Sequence, residues 1–128
     1  MPDVNTAEEA VRNRYNGDVL TATIANGAAL SDAIQLSGHQ LAAIQMPAAW
    51  TAASIGFHVS HDGVTYVPLY KQDGSTLVAI TLPTADKAFG LDDGIVDLAP
   101  WNYVKLWSQT GGAGVNQGAE RIIKVVVK

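Results

Sequence analysis

Hydrophobic and polar residues alternate with a period of two along most of the chain after its first sixteen residues. In the clearest run, Ile55, Phe57 and Val59 alternate with small or polar residues. Alternation of this kind is typical of a β-strand with one buried face and one solvated face. Similar runs predict strands at 19–24, 30–36, 42–46, 54–60, 64–70, 77–82, 95–98, 102–108 and 121–128.

Turn residues separate these runs. Asp62-Gly63 and Asp73-Gly74 stand between alternating segments, which is among the strongest hairpin signals. Pro68 cannot donate to a strand ladder, so its run is predicted to be bulged or to lie at a sheet edge. Residues 83–94 and 110–118 are predicted to be loops. Short strands separated by turns predict an all-β chain, an antiparallel β-sandwich (jelly roll) of about eight strands.

The first sixteen residues follow a different pattern. Thr6 and Glu9 match a capping box, with acidic residues early in the following segment and arginines late, which suits the helix dipole. We therefore predict a short N-terminal helix or arm over 1–16 and a β-sandwich domain over 17–128. Because so short a helix is marginal alone, a frayed tail is the alternative, unless the arm docks on a neighbouring subunit.

Composition narrows the possible partners. The chain has 128 residues, a net charge of -4 and 16% charged residues, and its basic residues are scattered. Scattered basic residues disfavour nucleic acid and anionic membranes as partners. The absence of cysteine removes thiol catalysis and zinc–thiolate sites. The start of the sequence lacks the features of a signal peptide, so we expect synthesis in the cytoplasm without export by the usual route.

Two groups of residues carry metal-binding chemistry, and each is also explained as a turn. His58, His61 and Asp62 offer imidazole and carboxylate ligands, but a tight hairpin separates their side chains, and Asp62 is accounted for by the bend itself. The segment 92–94 with Asp97 offers oxygen ligands for calcium, but its spacing matches no known calcium loop. We therefore predict no metal and no cofactor.

The sequence also lacks the catalytic motifs that we considered. No serine lies in a Gly-x-Ser-x-Gly elbow. The glycine-rich segment 111–114 lacks the Lys-Ser/Thr ending of a phosphate loop and is not followed by a helical pattern. The prediction is a protein without catalytic residues, hence not an enzyme.

An aromatic stripe near residue 104 supplies the candidate interaction residues. The alternation of this run directs its aliphatic residues into the core. The residues left on the outer face or beside it are Trp101, Tyr103, Lys105 and Trp107. Outward aromatic residues on a strand contact another chain, are covered by a loop or arm of their own chain, or stack on a sugar. All three interpretations stay open.

Two stretches resemble parts of known domains. Residues 57–66 (Phe-His-Val-Ser-His-Asp-Gly-Val-Thr-Tyr) are similar to a hairpin of discoidin-like, galactose-binding jelly rolls, and 101–106 (Trp-Asn-Tyr-Val-Lys-Leu) resemble a later strand of those domains. This resemblance implies a jelly-roll fold and carbohydrate binding. The whole chain, from 21–24 through 115–117 to the basic-ended last strand, also looks like small proteins encoded among phage and prophage virion genes. That resemblance implies a structural role and brings no catalytic residues.

The first hypothesis is therefore a non-enzymatic virion structural protein of a bacteriophage. It would decorate or build the capsid, as a head-decoration, spike or tail component, by packing its sandwich and N-terminal arm on neighbouring subunits. Its expected partners are major capsid or tail subunits and further copies of itself, and its expected location is the virion, after synthesis in the host cytoplasm. The alternative is a carbohydrate-binding module used in host adsorption, with a glycan as ligand. The sequence leaves head and tail locations open.

Overall fold

The alternating segments form antiparallel β-strands in the computed structural model, which describes residues 19–36 and 38–128, the side chains of 92–96 excepted. The strands are β1 Val19–Ile24, β2 Leu30–Gln35, β3 Leu41–Gln45, β4 Ser54–Ser60, β5 Val67–Pro68, β6 Ala88–Ile95, β7 Tyr103–Thr110, β8 Ala113–Gly114 and β9 Arg121–Val127, with a 3-10 turn over Val96–Leu98. The predicted all-β, antiparallel, sandwich-like fold is confirmed. The predicted N-terminal helix or arm lies outside the described residues.

The strands form one curled sheet in the order β5-β4-β7-β2-β1-β9-β3-β6, with β8 paired to β7. The two middle strands, β1 and β2, share a single register pair, Ile24 with Ser31. The sheet folds over at this narrow junction. We call β5-β4-β7-β2 the first half-sheet and β1-β9-β3-β6 the second half-sheet.

The hydrophobic core lies between the two half-sheets. Its most completely buried large side chains come from both: Ile24, Leu41, Ile44, Ile55, Phe57, Leu106 and Ile123. The inward direction predicted for Ile55, Phe57 and Val59 is confirmed, because all three are at most 1% exposed. Within the described residues, no helix is long and apolar enough to cross a membrane.

A bulge in β2 brings a serine into the core. The register between β2 and β7 shifts between Leu30 and Ala33, and Ser31 is 4% exposed. Its hydroxyl accepts a hydrogen bond from the backbone N–H of Leu106 at 2.9 Å and donates to the carbonyl of Asp32 at 2.7 Å. The side chain thus satisfies a backbone donor that the bulge removes from the ladder.

A buried glutamine joins three connections at one end of the sandwich. Gln117, 1% exposed, accepts from the Thr51 N–H at 2.8 Å and from Arg121 Nε at 3.1 Å. Its Nε2 donates to the Thr51 carbonyl at 3.0 Å and to Ser108 Oγ at 2.8 Å. Its own N–H donates to the Ala28 carbonyl at 2.9 Å. The β1–β2, β3–β4 and β8–β9 connections therefore meet at one residue.

Four local predictions were wrong. Residues 77–82 form only isolated bridges, Tyr70 with Leu77 and Ile55 with Ile80. Leu82, whose φ of 42° is outside the extended region, ends this segment with its N–H on Ser54 Oγ at 3.0 Å. The predicted loop 83–94 contains most of β6, which pairs with β3.

The other two corrections concern a strand end and a turn. Residues 95–98, predicted to be a strand, are the last residue of β6 followed by the 3-10 turn. The predicted loop 110–118 contains β8, which returns along β7 through Gly111 and Gly112 at φ values of 60° and 90°. Glycine favours this left-handed conformation, so the glycines that indicated a flexible loop form a tight hairpin.

Candidate functional site

Of the four residues predicted from the aromatic stripe, Tyr103, Lys105 and Trp107 lie on the outer side of the first half-sheet. Trp101, before β7, packs against the hydrophobic core. Trp101, Tyr103, Lys105 and Trp107 are all half-buried. His58 of β4 and Tyr66, from the segment before β5, join them. We call the group His58, Tyr66, Tyr103, Lys105 and Trp107 the aromatic face; Trp101 lies next to it, before β7.

Trp107 occupies space that a glycine leaves free. Gly56 stands opposite Trp107 in the β4–β7 register, and a Cβ on Gly56 would lie 3.1 Å from Trp107 Cε3. The His58 ring meets the indole edge-to-face, with centroids 4.6 Å apart and an interplanar angle of 77°. His58 is half-buried although it lies on the outward side of β4, because Trp107 packs against it over the position of Gly56.

Lys105 lies at the centre of the aromatic face. It is opposite His58 on β4 and opposite Ala33 on β2. Its Nζ lies 4.5 Å from the centroid of the Tyr66 ring, a distance typical of a cation–π contact. The lysine thus links β7 to the segment that leads into β5.

The β4–β5 turn packs against the start of β7. Gly63, at φ 77°, presents its backbone to Tyr103, and a Cβ on Gly63 would lie 3.3 Å from that ring. The His61 ring lies over Trp101, with centroids 4.4 Å apart and planes 31° apart. Asn102 donates a 3.3 Å side-chain hydrogen bond to the His61 carbonyl. His58 and His61 therefore contact different tryptophans.

The same turn is held by one carboxylate. Asp62 Oδ1 accepts from the N–H groups of Val64 and Thr65, at 2.8 and 3.0 Å, and from the Ser60 hydroxyl at 2.9 Å. These hydrogen bonds, led by that of Val64, lower the pKa of Asp62 to about 2. Asp73 holds the next turn in the same way through Thr76 and Ser75, which lower its pKa to about 2.

These two turns predict a loss of stability in acid. Each carboxyl has a lower pKa in the folded chain than in the unfolded chain, where it is about 3.9, so the stabilisation is complete above pH 4 and falls between pH 4 and pH 2. We expect the thermal midpoint of the double variant Asp62→Asn, Asp73→Asn to vary less with pH across that window. Scanning calorimetry at several pH values measures this, and equal pH slopes in both proteins would contradict it.

Each of the four predicted residues thus packs against other parts of the same chain. Contacts with 56–66 account for part of the burial of Trp101, Tyr103, Lys105 and Trp107. Their contact with another chain or with a glycan stays a prediction. The sequence did not indicate Tyr66 or Gly56 as members of the site, because only the β4–β7 register and the path of the turn bring them there.

Two clefts lie outside the aromatic face. One, of about 300 Å³, is lined by Val59, Ser60, His61, Asp62, Thr65, Val67 and Trp101. The other, of about 270 Å³, is lined by Trp50, Ala52, Ala53, Leu82, Pro83, Thr84 and Ala85. In the first cleft the His61 ring covers one side of Trp101, and the Asp62 carboxylate is already bound within the turn. Asp97, considered above as a calcium ligand, is exposed at the 3-10 turn.

Comparisons with known proteins identify no family for this chain. No protein-family profile matches the chain, and no curated protein matches it. Among solved structures, the chain is similar to the SPBc2 prophage-derived protein YomS at 14% sequence identity and a TM-score of 0.45, over 87% of this chain and 94% of that one. A likeness at this level carries no conclusion about the function of this chain.

Proposed function

We propose that the chain is a structural protein of a bacteriophage particle, which contacts neighbouring virion subunits through its aromatic face. It would have no catalytic activity, and its partners would be capsid or tail subunits and further copies of itself. The resemblance of its sequence pattern to small virion proteins supports the setting. The aromatic face supports the mode of contact.

One observation carries the mode of contact. Three aromatic rings, an imidazole and one lysine form a half-buried layer on β4, β7 and the segment before β5. Each of His58, Tyr66 and Trp107 already has a partner within the layer. Ordered aromatic side chains lose little conformational entropy on binding and are enriched at the energetic centres of interfaces. The layer is therefore preorganised for contact with another protein.

An apolar side chain at the border of the layer extends this surface. Val64, in the β4–β5 turn, is 81% exposed, and the neighbouring Gly63 packs against Tyr103 of the layer. The turn that presents Val64 is fixed by the three hydrogen bonds to Asp62. An exposed apolar residue held beside an aromatic layer favours a protein interface.

The direct test of the setting is the composition of purified particles. On the proposal, mass spectrometry of particles purified by density gradient finds the chain at a fixed copy number relative to the major capsid or tail protein. The non-structural protein fraction of the same lysate is the comparison. Recovery of the chain only from that fraction, with none in the particles, would contradict the proposal.

If the aromatic face is the contact surface, we expect two matched charge reversals to differ in their effect on binding. Lys105 lies on the outer side of the first half-sheet, and Lys124 lies exposed on the outer side of the second, opposite Thr21 and Gln45. A charge enclosed in an interface without its partner costs about 2–5 kcal/mol. We therefore expect Lys105→Glu to weaken binding to particles or self-association by at least about tenfold, and Lys124→Glu to leave it unchanged.

Light scattering over a concentration series measures self-association, and co-sedimentation measures particle binding. Circular dichroism and urea unfolding of both variants separate a contact effect from a folding effect. An equal loss in both variants, or a loss in Lys124→Glu alone, would contradict the assignment of the aromatic face.

A further inference from the structure

His58 lies in an environment that favours its neutral form. Its Nε2 is buried and makes no hydrogen bond. The ring lies edge-to-face against Trp107, and the cross-strand neighbours of His58 are Lys105 on β7 and Pro68 on β5. A proton on Nε2 would create a buried N–H donor without an acceptor, which is costly for a charged group.

The charges around His58 reinforce this. Across the β4–β7 pair His58 faces Lys105, whose ammonium lies over the Tyr66 ring. The β5 residues Val67 and Pro68 carry no charge. Burial, and then Lys105, lower the pKa of His58 below its ordinary value. The nearest carboxylate of the turn, Asp62, is bound to backbone N–H groups and stays ionised down to about pH 2.

The edge strand next to His58 is held by few backbone hydrogen bonds. β5 consists of Val67 and Pro68, lies at the sheet edge and pairs with β4 through two register pairs. Pro68 has no N–H to donate. The next backbone contact is the N–H of Leu69, which donates to the Phe57 carbonyl at 2.9 Å. Few hydrogen bonds at a sheet edge are typical of a segment that opens locally at low free energy.

We propose that protonation of His58 opens the β5 edge, residues 61–70, so that the aromatic face is complete near neutral pH and disassembles in mild acid. The opening would be a property of the isolated chain and requires no partner. If the proposed function also holds, acid would withdraw Tyr66 and the β4–β5 turn from the contact surface.

The sign of the effect follows from linkage. His58 has a lower pKa in the closed edge than in the open edge, where it approaches the ordinary value of about 6.5. The open form therefore takes up the proton first. The closed form is favoured fully above about pH 6.5 and progressively less as the pH falls below it, by at most about tenfold per pH unit for one proton. The turn carboxylates titrate well below this window.

Native-state hydrogen exchange measures the opening at single amides. The reporter is the N–H of Leu69, and the reference is the N–H of Ile123 in β9, within the β1–β9 ladder. After correction for intrinsic exchange, we expect the opening constant at Leu69 to rise by about threefold or more from pH 7 to pH 5 and to exceed that at Ile123 at both pH values, because the edge opens without the rest of the sheet. A pH-independent Leu69 would overturn the proposal.

Four variants assign the effect to the residue. His58→Gln cannot be protonated and is expected to make the Leu69 opening constant independent of pH, whereas the controls His39→Gln and His61→Gln are expected to keep the wild-type dependence. Lys105→Gln removes the facing charge and is expected to reduce the dependence, which provides a second test if His58→Gln fails to fold. Unchanged dependence in His58→Gln, or its loss in His61→Gln, would overturn the assignment to His58.

Discussion

Replacing Gln117 with alanine is expected to destabilise the protein by about 2–4 kcal/mol, although the residue touches no part of the candidate site. The Gln117 side chain makes four hydrogen bonds, two of them with the main chain of Thr51, one with Ser108 and one with Arg121. It is 1% exposed, so water does not replace these partners easily in the variant.

The size of this effect comes from the partners left behind. Ser108 is fully buried, and its hydroxyl loses the amide that donates to it. The Thr51 N–H and carbonyl lose both of their side-chain partners. A buried polar group left without a partner costs about 1–3 kcal/mol, and a network that loses its central member loses more than one bond.

Urea unfolding of Gln117→Ala against Gln45→Ala measures the effect. Gln45 is an exposed glutamine on β3, so its replacement is expected to change the free energy of unfolding by less than about 0.5 kcal/mol. Thr51→Ala keeps the main-chain groups that bond to Gln117 and removes the methyl group and the hydroxyl, which accepts from Arg121 Nη2 at 3.2 Å and from the Gly118 N–H at 3.2 Å. We expect a smaller loss. Equal stability of Gln117→Ala and Gln45→Ala would contradict the role of the network.

Residue faces were predictable where alternation is uninterrupted. In β4 and β7 inward and outward residues alternate, so Phe57 and Leu106 are buried as the pattern requires. The β2 pattern is less complete, because the bulge turns Ser31 inward, and a polar residue at a core position is not expected from alternation. In β3 the register shift between Leu41 and Ala43 buries Leu41 together with Ile44.

Strand pairing was not predictable from the same pattern. β6 carries turn residues and acidic residues, which locally indicate a loop, but it pairs with β3 and places Phe89 against the core. The reverse holds for residues 77–82, where an apolar run forms only isolated bridges. In both cases contacts distant in sequence decide between strand and loop, and alternation contains no information about them.

The candidate site was likewise predictable only in part. Alternation and position placed Trp101, Tyr103, Lys105 and Trp107 on or beside one outer face. Their partners come from β4 and the turn after it, so the half-burial of these residues depends on the β4–β7 register, in which Gly56 faces Trp107. Glycine in a strand interior is a signal for close approach of another group; Gly56 was the available sequence signal, but it does not identify the partner.

The largest loss of stability that we expect follows from replacing Phe57, a core residue of β4. Phe57 is the largest fully buried side chain of the described residues, and it lies opposite Leu106 in the β4–β7 register. Its replacement by alanine removes apolar burial and leaves a cavity between the two half-sheets. A buried Phe→Ala change costs about 3–5 kcal/mol, a large part of the total stability of a domain of this size.

The second phenylalanine of the chain provides the control for this change. Phe89 on β6 is half-buried at the opposite edge of the sheet, so Phe89→Ala is expected to cost about 1–2 kcal/mol. Urea unfolding followed by tryptophan fluorescence compares the two variants with the wild-type protein. A slip of β4 by one residue would turn Gly56 and His58 inward and Phe57 outward. A loss below about 1 kcal/mol in Phe57→Ala, typical of a surface position, would therefore contradict both the buried position of Phe57 and the register on which the aromatic face depends.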